Sequence, residues 1–320
     1  MVTPASPGSR SGNRVTAERW AAMIARLGCK VALDVASARG RDADVLVALH
    51  ARRSHDAVME FARAAPGRPI VVGLAGTDVY GDVPAGDAHA LESIARADRI
   101  VALQPRAALM LPEAARPKVR VIYQSCALPE PMPRFDPAAE PGRFRVAVVS
   151  HLRAVKDPLA AAEAAALLAA DSPVEIMHVG DELDPALAER ARRASAAPGA
   201  RYGWLGPVER QRALALIAAS DLLCLTSLAE GGANALTEAL ACATPVVSSR
   251  IEGSLGILGE DYPGLFEAGN RAALAALLER ATGDAAFTSC LAERCRALAP
   301  LADPATELSR WRALLDEIAP

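Results

Sequence analysis

The stretch that most constrains the fold is Leu222 to Ser249, LLCLTSLAEGGANALTEALACATPVVSS. Leu222 to Thr226 is an apolar run, long enough for a buried parallel strand and too short for a helix. Glu230-Gly231-Gly232 breaks it. From Asn234, placed as a cap, the sequence is helix-forming to Ala241, with Glu238 about one turn further in. Pro245 stops the helix and Val246-Val247 opens another strand. The order strand, turn, helix, turn, strand makes a βαβ unit with glycines at the C-terminal end of its first strand.

Open parallel sheets bind ligands outside the carboxyl ends of their strands, where helix N-termini carry partial positive charge. Gly231 and Gly232 let backbone approach closely and offer N–H groups to phosphate oxygens, and Ala233 and Asn234 follow them into the helix. Glu230 and Glu238 can only accept hydrogen bonds, which suits sugar hydroxyls. Two glutamates alone would read as a solvated helix face. Combined with the glycines, they point to a nucleotide sugar.

The rest of the chain repeats the alternation. A helix is expected from Thr16 to Leu27, ended by Gly28, and strands at Val31–Val35, Val45–Leu49, Ile70–Leu74, Ile100–Leu103 and Val119–Tyr123. Pro129, Pro131, Pro133, Pro137 and Pro141 then mark a linker. Beyond it strands are expected at Phe144–Val149, Val174–Val179, Tyr202–Leu205, Leu222–Thr226 and Val246–Ser248. The fold class is therefore α/β, with two tandem Rossmann-like doubly wound parallel sheets. The expected division is 1–126, a linker at 127–142, a second domain at 143–303, and a final helix at 304–318 that crosses back onto the first domain. That helix carries Leu308, Trp311, Leu314 and Leu315 on one apolar face. The strand before the loop Ala5 to Gly12 has only its last residues here, so a few apolar residues are expected to precede Met1 in the natural product.

A net charge of −3 without a basic stripe excludes nucleic acid as a partner. No apolar run is long enough for a membrane span, and no signal peptide opens the chain, so the expected location is cytoplasmic. Cys29, Cys126, Cys224, Cys242, Cys290 and Cys295 are scattered without metal-ligand spacing and read as reduced thiols. Asp42-Ala43-Asp44 reads as a strand start, and no metal is expected. Walker, Rossmann-dinucleotide and zinc-protease motifs are absent from the sequence.

Four further strand ends carry polar chemistry. Ser150-His151-Leu152-Arg153-Ala154-Val155-Lys156-Asp157-Pro158 gathers three basic groups at the first strand of the second domain. In the first domain the strand ends are Pro7 to Arg14, with Arg10 and Arg14 beside glycines, then His50-Ala51-Arg52-Arg53, and Gly76-Thr77-Asp78. Arginines at strand ends suit a small anion. For His50, a packed core histidine is an equal alternative.

Glu230-x7-Glu238 within EGGANALTEALA, between Ala219-Ser220-Asp221 and Thr244-Pro245-Val246-Val247, resembles the donor site of retaining, family-four glycosyltransferases. The resemblance implies the two-Rossmann-domain architecture known as GT-B, with Glu230 beside the donor sugar and Glu238 on the ribose hydroxyls. It also implies that Lys156 binds the donor diphosphate. The family arginine of that motif is replaced by His151 or by Arg153, and the sequence leaves both open. Two departures stand out: Ala243 where the family usually has glycine, and Ala75 where it commonly has histidine. The combination of SRSGNRVTAERW, LVALHARRS, GTDVY, ADRIVALQ, VIYQS, SHLRAVKDP and EGGANALTEALA is similar to the selenosugar synthases of selenoneine biosynthesis. That implies UDP-N-acetylglucosamine or a related UDP-hexose as donor substrate, no cofactor, and selenophosphate as acceptor. Lys156, Arg153, Glu230 and Asp78 are then the expected catalytic residues. Gly12, Asn13, Arg14, His50, Arg52, Arg53, Thr77 and Asp78 are the expected acceptor contacts. Competing readings are a conventional UDP-sugar hexosyltransferase with a sugar or lipid acceptor, a nucleotide-sugar epimerase, and a sugar-nucleotide sensor.

Overall fold

The computed structural model describes residues 1–9, 11–35, 43–136 and 141–318, so Arg10, Asp42 and Pro137 of the motifs above lie outside the described residues. The chain forms two compact units. The first comprises Met1–Gln124, Glu230–Gly232 and Pro304–Pro320, and the second Ser125–Ala229 and Ala233–Asp303.

The first unit is built on a parallel sheet of β1 (Val2–Thr3), β2 (Asp34–Val35), β3 (Leu46–Leu49), β4 (Ile70–Gly73), β5 (Arg99–Ala102) and β6 (Val119–Val121). Their spatial order is β2-β1-β3-β4-β5-β6. Every residue of β3 and β4 is buried, because apolar layers cover both faces of the sheet. One layer contains Phe61 and Ile94 from helices His55–Ala64 and Ala88–Arg96. The other contains Trp20 and Trp311 from helices Gly12–Arg26 and Pro304–Ile318. These two indoles meet edge to face with centroids 4.9 Å apart. Buried Glu307 accepts from Trp20 Nε1 at 3.0 Å and from Arg19 Nε at 3.2 Å, which supplies the pairing that a buried carboxylate requires.

Two boundaries differ from the sequence expectations by more than two residues. The first helix starts at Gly12 rather than Thr16, because the Ser11 side chain caps it by accepting from the Arg14 N–H at 3.4 Å. The run from Val31 is a strand only at Asp34–Val35, where it meets the short β1 at Val2 and Thr3.

The second unit contains β7 (Phe144–Val149), β8 (Val174–Val179), β9 (Tyr202–Trp204), β10 (Leu222–Leu225), β11 (Val246–Ser249) and β12 (Leu265–Phe266). All are parallel, in the order β12-β11-β10-β7-β8-β9. The chain therefore winds outward from β7 to β9 and then returns to the other side of β7. Such a reversal opens a crevice between β7 and β10, and in the first unit between β1 and β3. The described part of the proline-rich segment is not a free spacer. Phe135 is buried, with the guanidinium of Arg145 5.6 Å and that of Arg212 5.7 Å from its ring centre. Among the described residues no helix is long and apolar enough to cross a membrane.

Candidate functional site

The β7–β10 crevice of the second unit is lined by the loops that follow these two strands. The loops are bonded to each other: Leu228 N donates to Val155 O at 2.8 Å and Thr226 Oγ1 to Lys156 O at 3.0 Å. Residues Ala154–Lys156 form a short 3-10 turn, closed by Asp157 in a left-handed conformation with φ of 43°. Both Asp157 carboxylate oxygens accept from Arg271 at 2.7 Å, so a bidentate pair holds the end of the loop that carries Lys156.

The choice between His151 and Arg153 becomes a matter of partners. His151 Nδ1 accepts the Asp181 N–H at 3.0 Å, which commits that face of the ring to backbone. Arg153 is half-buried, and its guanidinium makes no hydrogen bond or ion pair with the described residues. Of the two, Arg153 is the one whose charged group has no partner among the described residues.

Beneath the loop lies His178, a residue the sequence reading passed over. Its only local signal was a polar side chain inside the apolar run of β8. Burial lowers its pKa to about 4, so the ring is neutral. Nδ1 lies 2.7 Å from the Tyr202 hydroxyl and Nε2 2.9 Å from Ser150 O. A carbonyl can only accept, so Nε2 carries the proton, Tyr202 donates to Nδ1, and the chain of bonds pins the start of the Ser150–Lys156 loop.

Helix Asn234–Cys242 begins one residue beyond its cap, Ala233, and no side chain caps it. The expected cap, Asn234, is instead the first helical residue, and its carbonyl accepts from Thr237 Oγ1 at 3.0 Å. The cap residue, Ala233, has no side chain that could bond the leading N–H groups, and of these Leu236 N donates to Ala233 O at 3.1 Å. Glu238, 7% exposed, accepts from Arg210 Nε at 3.1 Å, and Arg210 Nη2 also reaches Cys126 Sγ at 3.4 Å. Arg210 and Cys126 lie far from Glu238 in sequence and carry no local signal. Ala243 ends the helix at φ 57°, a left-handed position that glycine occupies without strain.

Glu230–Gly232 belongs to the first unit. A Cβ on Gly231 would lie 2.8 Å from Ala75 C and 2.9 Å from Gly76 N, and one on Gly76 would lie 2.7 Å from Gly231 N. Gly231 thus lies against the backbone of Ala75 and Gly76, and a Cβ on Gly232 would lie 2.8 Å from Leu103 Cβ. Gln124 Nε2 donates to Gly232 O and holds the same turn. Glu230 is 8% exposed.

In the first unit the structure separates the expected acceptor residues into two groups. Asp78 is fully buried, and its carboxylate accepts three backbone N–H groups, from Ala51, Ala75 and Val79, each at 2.8 Å. It ties the ends of β3 and β4 together. Its oxygens face backbone, so it is a scaffold for the site rather than the catalytic carboxylate expected from sequence. Burial raises its pKa, against the opposing pull of His50 and those three donors. Arg52 is paired with Asp87 at 3.0 Å and Asp82 at 3.8 Å, and Arg53 is exposed. His50 is buried and Thr77 exposed, with His50 Nε2 2.9 Å from Thr77 Oγ1.

Gly12, Asn13 and Arg14 form the first turn of a helix and not a loop. Arg14 Nε donates to Glu18 Oε1 at 2.7 Å, and its side chain is 12% exposed. Its Nη1 is buried with no hydrogen-bond partner among the described residues. Among the described residues no group of three or more His, Cys, Asp or Glu could hold a metal ion.

Comparison with known proteins agrees with this geometry. Residues 133–297 match the family described as Glycosyl transferases group 1. No curated protein matches the sequence. Solved structures do share the fold. Anabaena HepE in complex with UDP aligns with a TM-score of 0.72 at 19% identity, over 92% of this chain and 88% of that one. The sucrose-phosphate synthase of Thermosynechococcus elongatus aligns at 0.69 and 17% identity, over 99% and 82%. The α,α-trehalose 6-phosphate synthase of Burkholderia multivorans aligns at 0.69 and 16%, over 86% and 70%. With the family match extending over more than half of the chain, this protein belongs to the glycosyl transferases group 1 family and is a glycosyltransferase of GT-B fold.

Proposed function

We propose that the protein transfers a hexosyl group, N-acetylglucosamine being the expected sugar, from a UDP-sugar to selenophosphate. The bond from the anomeric carbon to UDP breaks and a C–Se bond forms. The product is a 1-seleno-sugar, with phosphate released once water cleaves the P–Se bond.

The donor half of this reading rests on the crevice of the second unit. Lys156 and Arg153 follow β7, and the N-terminus of helix Asn234–Cys242 follows β10. A diphosphate is held by such a combination of cations and helix N–H groups, and the same cations oppose the charge that grows on UDP as it departs. Glu238 is buried and accepts only, which suits ribose hydroxyls. Anabaena HepE, of the same fold, binds UDP.

The acceptor half is carried by Arg14. A guanidinium in the first turn of a helix, with one buried nitrogen lacking a partner among the described residues, is a place where a small anion fits. Selenium in selenophosphate is already a strong nucleophile. Ala75 in place of the usual histidine therefore removes no base that such an acceptor needs. The similarity of the strand-end motifs to selenosugar synthases supplies the identity of the anion.

Mass spectrometry of products from UDP-N-acetylglucosamine with and without selenophosphate tests the proposal. A seleno-sugar formed only with both substrates is expected. Transfer to a sugar, phosphosugar or lipid acceptor with none to selenophosphate would refute it.

A further inference from the structure

His50 ends β3 at φ 75°, a backbone conformation that side chains rarely adopt, and it is 0% exposed. Its surroundings hold it there. The backbone N–H donates to Gly73 O at 2.8 Å, and the carbonyl accepts from Ser54 N at 3.0 Å. The ring is held at both nitrogens: Nδ1 accepts the Arg53 N–H at 3.3 Å, and Nε2 lies 2.9 Å from Thr77 Oγ1.

A neutral imidazole has one N–H, and here its position is determined. Nδ1 faces a backbone donor, so the ring proton belongs on Nε2, which donates to Thr77 Oγ1. Asp78 could draw the proton to Nδ1 only through a hydrogen bond. Its Oδ2 is 3.7 Å from Nδ1, too far for one, and accepts from Ala51 N instead. Burial lowers the His50 pKa, Arg53 and Arg52 act in the same direction, and Asp78 and Asp82 oppose it. The neutral ring is thus the resting form.

Thr77 is exposed, and with its oxygen receiving the His50 proton its own hydrogen points elsewhere. We propose that His50 is a positioning residue that fixes Thr77 as an outward hydrogen-bond donor to an oxyanion of the acceptor, favouring phosphate-bearing acceptors over those that must surrender a proton. This rests on the acceptor assignment above and extends it to specificity. A hydroxyl nucleophile needs a base, and a Thr77 oxygen already bonded to Nε2–H is a poor one. A phosphate oxygen needs only a donor. Thr77 is also well placed, since it follows Gly76, whose backbone lies against that of Glu230 and Gly231.

Nitrogen-15 NMR of the protein alone reads the tautomer directly. The chain has five histidines, and the signal missing from His50→Asn identifies the ring. Asparagine tolerates the left-handed backbone, so this variant is expected to fold. A neutral ring protonated at Nε2 from pH 6 to 8 is expected, and a proton on Nδ1 or a charged ring at pH 7 overturns the proposal whatever the acceptor is. In steady-state assays Thr77→Val should raise the apparent KM for selenophosphate about ten- to a hundredfold, with UDP affinity unchanged and Thr77→Ser restoring most of the loss. His50→Asn should raise the same KM, though less. Calorimetry with inorganic phosphate makes the comparison without turnover. Phosphate affinity lost in Thr77→Val supports the donor role even if selenophosphate is not the substrate, and unchanged affinity refutes it.

Discussion

Gly180, one residue past β8, gives the sharpest test of how the donor loop is held. A Cβ there would lie 1.9 Å from Ser150 O, 2.5 Å from Ser150 C and 2.9 Å from His151 N. All three are backbone atoms at the root of the Ser150–Lys156 loop, so no side chain can rotate away to make room. Gly180→Ala must therefore push the two strand ends apart. The bonds at risk are Asp181 N to His151 Nδ1 at 3.0 Å, Leu152 N to Asp181 O at 2.9 Å and His178 Nε2 to Ser150 O at 2.9 Å. Losing two of them at about 1 kcal/mol each, with an overpacking cost of about 1–3 kcal/mol, gives a destabilisation of roughly 3–5 kcal/mol. That is a large fraction of the stability of an ordinary domain. Urea denaturation measures it, and calorimetry measures UDP binding in the folded fraction. Both should fall, because the loop that moves carries Arg153 and Lys156. A Gly180→Ala protein with wild-type stability and UDP affinity would refute the claim that backbone contact at Ser150 positions the loop.

Three further outcomes are expected. Glu238→Ala should lose a charged hydrogen bond of roughly 1.5–3 kcal/mol, about ten- to a hundredfold in UDP affinity, and unchanged binding by calorimetry would remove the ribose assignment. His178 titrates near 4 in the fold and near 6.5 when unfolded, so its contribution is complete above pH 6.5 and lost as pH falls toward 4. That amounts to about 3 kcal/mol, seen as a falling urea midpoint between pH 7 and pH 4.5 that is blunted in His178→Gln. Ala243→Gly should stabilise the protein by about 1 kcal/mol in thermal melts, since glycine adopts the left-handed helix end at φ 57° without a Cβ clash.

The sequence by itself determined the elements and the class of chemistry. Runs such as Leu46–Leu49 and Leu222–Leu225 are buried on both faces of a parallel sheet, so their apolar character is continuous and local. EGGANALTEALA is equally legible, because its glycines, glutamates and helix lie within a dozen positions. What only the tertiary structure decided depends on residues distant in the chain. Asp78 became a scaffold because Ala51 and Ala75, from two different strand ends, donate to it. Arg210 met Glu238 across 28 positions, and Gly231 found its close approach at Ala75 and Gly76. Periodicity records which face of an element is apolar, whereas a hydrogen bond between strand ends depends on sheet order, and sheet order is set by packing of the whole unit.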